Sequence, residues 1–283
     1  MNLRNWNIGM AVLQFAMGSY LTWLYNDKKL LNKPTSLSTI KANKIPGSAP
    51  GKFLLNFELA STDEVYVARE TISFFFVTGL FHSLYAATYN TIYKKMITNR
   101  NNFLRWIEYS ISATLMMRII ALQCGIRDRE TISLITSSMI GVMLMGQIVE
   151  VALASGKPLS PNQKNIAIVA TVIGWVLMLN VFITIIRTFV DLKTDVDKLG
   201  CPKATIPDFV LGIIISQLVF YSTFGFIQLY HVYQRTNGRQ VNYENIEKLY
   251  IIDSLLAKIT LGAILAYSVV ESDKGVYGEF QCT

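Results

Sequence analysis

Two residues of opposite charge stand inside apolar runs. Lys258 lies in YIIDSLLAKITLGAILAY, residues Tyr250–Tyr267, and Glu108 lies in FLRWIEYSISATLMM. A charge at the centre of a membrane span costs roughly 3 kcal/mol, and such residues are rare, paired and functional by default. A buried lysine gives up its proton readily and becomes a nucleophile toward a carbonyl. The imine so formed, when protonated, needs a carboxylate close by to keep its proton in a low-dielectric site. The plainer alternative is an intramembrane salt bridge with no chemistry. The residues alone leave both readings open.

Helix spacing decides what accompanies the pair. Positions four apart share a face, so Ser254 lies with Lys258, and Ser112 lies with Glu108. Both apolar runs begin on the same side of the membrane and carry their charges at comparable depth. A contact between Glu108 and Lys258 is therefore geometrically allowed.

Composition sets the frame for these helices. The chain has 283 residues, 52% hydrophobic and 16% charged, with mean hydropathy +0.36. A soluble domain of this size carries more charge. Seven apolar runs of about 20 residues recur, each long enough to cross a hydrocarbon core of about 30 Å. The expected fold is an all-α membrane protein, a single domain over residues 1–283 made of a seven-transmembrane-helix bundle. A closed β-barrel is excluded, because the runs are continuous rather than alternating. The first run is read as a retained span rather than a cleaved leader.

The expected spans are Asn7–Tyr25, Val67–Tyr93, Phe103–Cys124, Thr131–Ala154, Asn165–Val190, Phe209–Tyr233 and Leu249–Val270. Loops are expected at Lys94–Asn102, Ser155–Lys164, Asp191–Asp208 and Gln234–Lys248. The first loop, residues 26–66, is long. It holds Pro34, Pro46 and the partly alternating FLLNFEL at Phe53–Leu59, which predicts a small β element capping one face of the bundle.

The net charge of +7 sits in loops, which suits anionic lipid headgroups and gives no nucleic-acid signal. On the N-terminal side, loop cations outnumber loop acids nine to two. On the other side twelve cations meet thirteen acids, six of the cations lying in the long loop. Short loops carry the orientation signal, and without the long loop the cations stand nine to six. The N-terminus is expected in the cytoplasm and the C-terminus outside. Cys124, Cys201 and Cys282 fall on the outer side, where one disulfide could form. They have no metal-ligand spacing, and no nucleophile triad or phosphate loop is visible, so no enzyme chemistry is expected.

A lone lysine in the last of seven helices is the arrangement of retinal proteins. Phe103–Leu115 resembles the third helix of heliorhodopsins, with their Arg-Trp-x-Glu-Tyr-Ser signature, and Tyr250–Lys258 resembles their seventh. Leu80–His82, Cys124–Ile126 and Gly212–Ser216 also fall where that family has such residues. The resemblance spans essentially the whole chain and independently implies a cytoplasmic N-terminus.

It implies a light-sensing photoreceptor that binds all-trans retinal as a Schiff base on Lys258. Glu108 would be the counterion and Ser254 a hydrogen-bonding neighbour. His82 would belong to a polar cavity. Tyr109 and Ser112 are counted with the site beside Glu108, and Trp175 and Tyr221 match aromatic positions around the polyene. A slow photocycle, signalling rather than pumping, and a homodimer in the lipid bilayer with an unidentified signalling partner complete the implication. For Trp175 and Tyr221 ordinary packing is the competing reading, and for His82 a hydrogen-bonded core histidine.

Three departures stand out. The first helix has no histidine, its matching stretch reading Gly9–Phe15, GMAVLQF. Asp253 stands where an apolar residue is expected. It is read either as a first-turn aspartate reaching water or as a carboxylate in a proton path, and with Glu150 and Arg118 it raises light-driven proton or ion transport as an alternative. Arg118 either pairs with an outer-side acid or faces a dimer interface. A chromophore-free receptor or transporter is the remaining alternative.

Overall fold

The computed structural model describes residues 2–46, 53–154, 158–198 and 208–271. Seven of its helices have 21 residues or more: α1 (Leu3–Asp27), α2 (Val67–Ala87), α4 (Phe103–Gln123), α5 (Arg129–Leu153), α6 (Pro161–Lys198), α7 (Asp208–Thr236) and α8 (Tyr243–Glu271). A short α3 (Lys94–Thr98) follows α2 through one π-helical turn, Tyr89–Tyr93. Two antiparallel strands, β1 (Thr35–Pro46) and β2 (Phe53–Val65), form the expected β element.

Side chains that satisfy the free N–H groups of a first turn mark where the helices begin. The Asn2 side chain accepts from the Asn5 N–H, Asn102 from Arg105 and Asp128 from Thr131. At α6 the cap is reciprocal: Gln163 N–H donates to Ser160 Oγ at 3.3 Å, and Ser160 N–H to Gln163 Oε1 at 3.0 Å. Pro161 fills the first helical position, where its missing N–H costs nothing.

Several boundaries differ from the sequence expectation. The second span does not run straight to Tyr93: α2 stops at Ala87 and the chain bends by 74° into α3. The residues taken as the loop Lys94–Asn102 therefore hold a helix. α6 continues past Val190 to Lys198, and α8 starts at Tyr243, six residues early. Charged residues carry both extensions, and hydropathy cannot detect a helix that continues past the apolar core.

The outside of the bundle is apolar. Val12, Leu134, Val172, Val176, Val219 and Phe226 are all exposed, the reverse of a soluble surface and the pattern of a lipid-facing one. α5, α6, α7 and α8 are long and apolar enough to cross a membrane, and α2 with its bent continuation makes a fifth. α4 carries Arg105, Glu108 and Arg118, and all three meet partners on other helices. Arg105 pairs with Glu150 and Glu247, Glu108 with Lys258, and Arg118 with Glu70. Its remaining positions supply the main core, including Met116, Met117, Ile119, Ile120 and Leu122. α4 packs against α2, α5 and α7, while α8 packs against α1 and α7. α4 is thus the hub, and side chains bridge it to α8, which buries three charged residues of its own, Glu247, Asp253 and Lys258.

The hairpin is strapped to the bundle. Ser38 N–H donates to the Arg127 carbonyl at 2.9 Å, in the turn between α4 and α5. A bulge between Leu37 and Ser38 shifts the register there, as bulges do where a strand is re-aimed. Leu37 itself joins the main core.

Candidate functional site

Lys258 Nζ donates to Glu108 Oε1 at 2.9 Å and to Ser254 Oγ at 3.0 Å. Lys258 is 2% exposed and Glu108 1%. Each charge is thus shut off from solvent and answered by the other, the condition under which a buried pair persists. The Tyr109 ring stands 5.2 Å from the ammonium and adds a cation–π attraction. Tyr109 is held from the far side, its hydroxyl donating to the Tyr250 carbonyl at 3.4 Å.

A cavity opens beside the amine. It is lined mainly by apolar and aromatic side chains, as small-molecule sites are. Lys258 and Ser254 lie at its polar end. Its walls are Tyr109, Trp175, Met178, Phe220, Tyr221 and their neighbours. Two glycines give it shape. A Cβ on Gly225 would stand 2.5 Å from the Trp175 ring, and one on Gly146 would stand 2.0 Å from Trp106. Both rings lie flat against backbone that any larger residue would push away. Tyr221 is fixed by donating to the Ala113 carbonyl at 2.9 Å.

The structure therefore brings Lys258, Glu108, Ser254 and Tyr109 into direct contact, with Trp175 and Tyr221 on the cavity wall. Ser112 is buried, its hydroxyl without a hydrogen bond. His82 is buried on α2, where Asn7 Oδ1 lies 2.6 Å from its Nδ1. Asp253 is not in a first turn: α8 begins ten residues before it. It is 6% exposed and lines the cavity, so the reading of a water-reaching aspartate is corrected. The early start of α8 is the reason. Arg118 meets an acid on α2, its guanidinium donating to Glu70 Oε1 at 2.6 Å. Cys124 is buried and free; Cys201 and Cys282 lie outside the described residues.

A second charged cluster was not anticipated. Arg105 donates to Glu150 at 2.6 Å and to Glu247. Trp106 and Tyr243 donate to Glu150, while Asn102 (2.6 Å) and Tyr93 (3.1 Å) donate to Glu247. Glu247 had been counted as a loop acid. The signal was its spacing: Glu247, Ser254 and Lys258 recur at helical intervals and fall on one face. Asn7 was missed too, since nothing in the sequence near it marks a partner 75 residues away.

The family model described as Heliorhodopsin matches residues 3–270. The chain belongs to the heliorhodopsin family. Membership makes it a retinal-based light-sensing protein, integral to the membrane and crossing it several times. No curated protein sequence matches. Among solved structures, a light-driven proton pump LR (Mac) from Leptosphaeria maculans is similar in fold. It has 13% identity and a TM-score of 0.49 over 96% of each chain.

Retinal is an aldehyde at one end of an apolar polyene, so a heliorhodopsin must offer an amine at the end of an apolar sleeve. The residues fit this demand: the amine is Lys258 Nζ, and the sleeve is the aromatic cavity that Gly225 and Gly146 leave open.

Proposed function

We propose that this heliorhodopsin holds all-trans retinal as a Schiff base on Lys258 and signals rather than pumps, with seven helices crossing the bilayer. The observation that carries the reading is the position of Lys258 Nζ, at the polar end of the cavity and bonded to both Glu108 and Ser254. When bound, retinal supplies the absorption of light and an isomerisation that moves the atoms attached to Lys258.

The chain's own residues do the rest. Lys258 carries the linkage and its proton. Glu108 balances that charge across 2.9 Å in a site without bulk water, where the attraction is far stronger than at a surface. Ser254 fixes the direction of the nitrogen from one turn below. Tyr109 stabilises the positive end through its ring face, and Trp175 and Tyr221 confine the apolar part. Displacing the nitrogen from Glu108 removes the interaction that retains the proton. The buried His82 and Ser112 are the groups assigned in this reading to receive it. A slow return to the dark arrangement suits signalling by population shift, in which a partner reads the altered state. Homodimers, an unidentified signalling partner and a cytoplasmic N-terminus belong to the same reading.

The test is reconstitution. Purified protein mixed with all-trans retinal should gain a visible absorption band, and Lys258→Ala should stay colourless. No band in the wild-type protein would overturn the reading in favour of a chromophore-free receptor or transporter with a structural salt bridge.

A second reading, light-driven proton or ion transport, is favoured by Asp253. This carboxyl lines the cavity and, among the described residues, has no hydrogen bond or ion pair. It lies five residues, or about 7.5 Å along the axis, before Lys258. A sustained, voltage-dependent photocurrent in voltage-clamped cells would establish this reading, and its loss in Asp253→Asn would assign the path.

A further inference from the structure

The contact between His82 and Asn7 holds more information than its length. A neutral histidine has one nitrogen that donates and one that accepts, and the hydrogen bond made by one nitrogen decides the role of the other. An asparagine amide is equally two-sided. Here the amide is oriented by a third group. Asn7 Nδ2 donates to the Leu3 carbonyl at 2.8 Å, within α1. A carbonyl only accepts, so the nitrogen of the amide must face it. The oxygen of Asn7 therefore faces His82 Nδ1, at 2.6 Å. That oxygen also only accepts. Nδ1 must then carry a proton.

The remaining nitrogen is the consequential one. His82 Nε2 is buried and makes no hydrogen bond. His82 is 2% exposed, so solvent does not serve it. From its own helix, Tyr85 presents its ring edge-on at 5.6 Å. From α4 and α8, the charges of Glu108 and Lys258 both act on the imidazole. Asn7 is the group from α1. Among the described residues Nε2 is thus a buried nitrogen with no hydrogen-bond partner, in the field of the ion pair.

We propose that Asn7 is a positioning residue that locks His82 in the Nδ1–H tautomer, leaving Nε2 as the open proton-accepting nitrogen beside the Glu108–Lys258 pair. The lock supplies with one amide what the first helix lacks as a second histidine: it commits a single imidazole to a single direction of transfer. The functional meaning rests on the retinal reading, whereas the tautomer does not.

The chain has two histidines, His82 and His231, which makes the experiment tractable. Solid-state nitrogen-15 NMR of histidine-labelled protein in lipid separates the two neutral tautomers and the cation, and the spectrum of His82→Gln assigns the signals. In the wild-type protein without retinal, at mildly alkaline pH, His82 should be neutral with its proton on Nδ1. Asn7→Leu should move the tautomer ratio toward Nε2–H by roughly five- to tenfold, the weight of one net hydrogen bond. Asn7→Asp keeps an accepting oxygen and should retain Nδ1–H.

Wild-type His82 with a proton on Nε2, as the other tautomer or as the cation, would overturn the proposal. So would an unchanged ratio in Asn7→Leu. Should Asn7→Leu fail to fold, the wild-type and Asn7→Asp spectra still decide. Failure of the retinal reading would show separately, as a missing visible band with the NMR result intact.

Discussion

The interior holds two charged centres of opposite character. The Glu108–Lys258 centre is sparse: one cation, one anion, a serine hydroxyl and an aromatic face, with an open cavity alongside. The cluster around Arg105 is crowded. Its two carboxylates receive bonds from Arg105, Trp106, Tyr243, Asn102 and Tyr93, and the guanidinium also lies 4.1 Å from the Tyr250 ring centre. A densely bonded polar network fixes one arrangement of the helices that carry it, because displacement leaves further buried groups unpaired. A sparse pair beside empty space has somewhere to move. The crowded centre therefore reads as the anchor for α4, α5 and α8, and the sparse one as the part that works.

The comparison can be broken by variants of the two centres. The largest effect should come from Lys258→Met combined with Glu108→Gln. It should abolish the visible band on adding retinal yet leave thermal unfolding near that of the wild type, since replacing both partners of a buried pair is close to neutral. Arg105→Met should do the opposite. It should keep colour but cost about 3–5 kcal/mol, because Glu150 and Glu247 lose their cation; a thermal unfolding scan reads this. Colour lost with Arg105 and stability lost with the double variant would reverse the assignment.

Glu108→Gln alone sharpens the picture of the sparse centre. A counterion stabilises the ground state, with its charge at the nitrogen, more than the excited state. The band should therefore shift to the red, and an unchanged spectrum would move the counterion role to another carboxylate, Asp253 first. Gly225→Ala should cost about 1–3 kcal/mol by overpacking and slow retinal uptake, as the new methyl displaces Trp175; stopped-flow absorbance measures the rate.

The smallest effect belongs to the helix cap in the turn between α4 and α5. Thr131 donates to Asp128 through both N–H (2.7 Å) and hydroxyl (2.6 Å), which holds the Asp128 carboxyl below its usual range. A carboxyl depressed by folding stabilises above its unfolded value of about 4 and loses that contribution as pH falls through the folded value. Asp128→Ala should cost about 1 kcal/mol at neutral pH. Asp128→Asn should keep most of the cap and lose its acid sensitivity.

Much of this was legible in the sequence, for identifiable reasons. Lys258 and Glu108 announce themselves because a charge in an apolar run has no cheap explanation. Ser254 follows from helical spacing, and the hairpin follows from turn residues flanking an alternating stretch. The extensions of α6 and α8 were hidden because polar helix and polar loop have the same hydropathy. Glu247 was hidden for the same reason, and Asp253 was misjudged as a consequence. Asn7 was illegible in principle: its meaning lies in the carbonyl of Leu3 and a ring on another helix.

The strap between Ser38 and Arg127 has a consequence for biosynthesis. Its two ends are separated by 89 residues. At about 5–20 residues per second, β1 leaves the ribosome roughly 4–18 s before its anchor exists. Over that interval β1 can pair with β2 but lacks the Arg127 carbonyl, and the hairpin is strapped to the bundle only after the turn beyond α4 has been made. The β element is thus a clasp fastened late, and defects in the α4–α5 turn should surface first as misassembly of a loop made long before it.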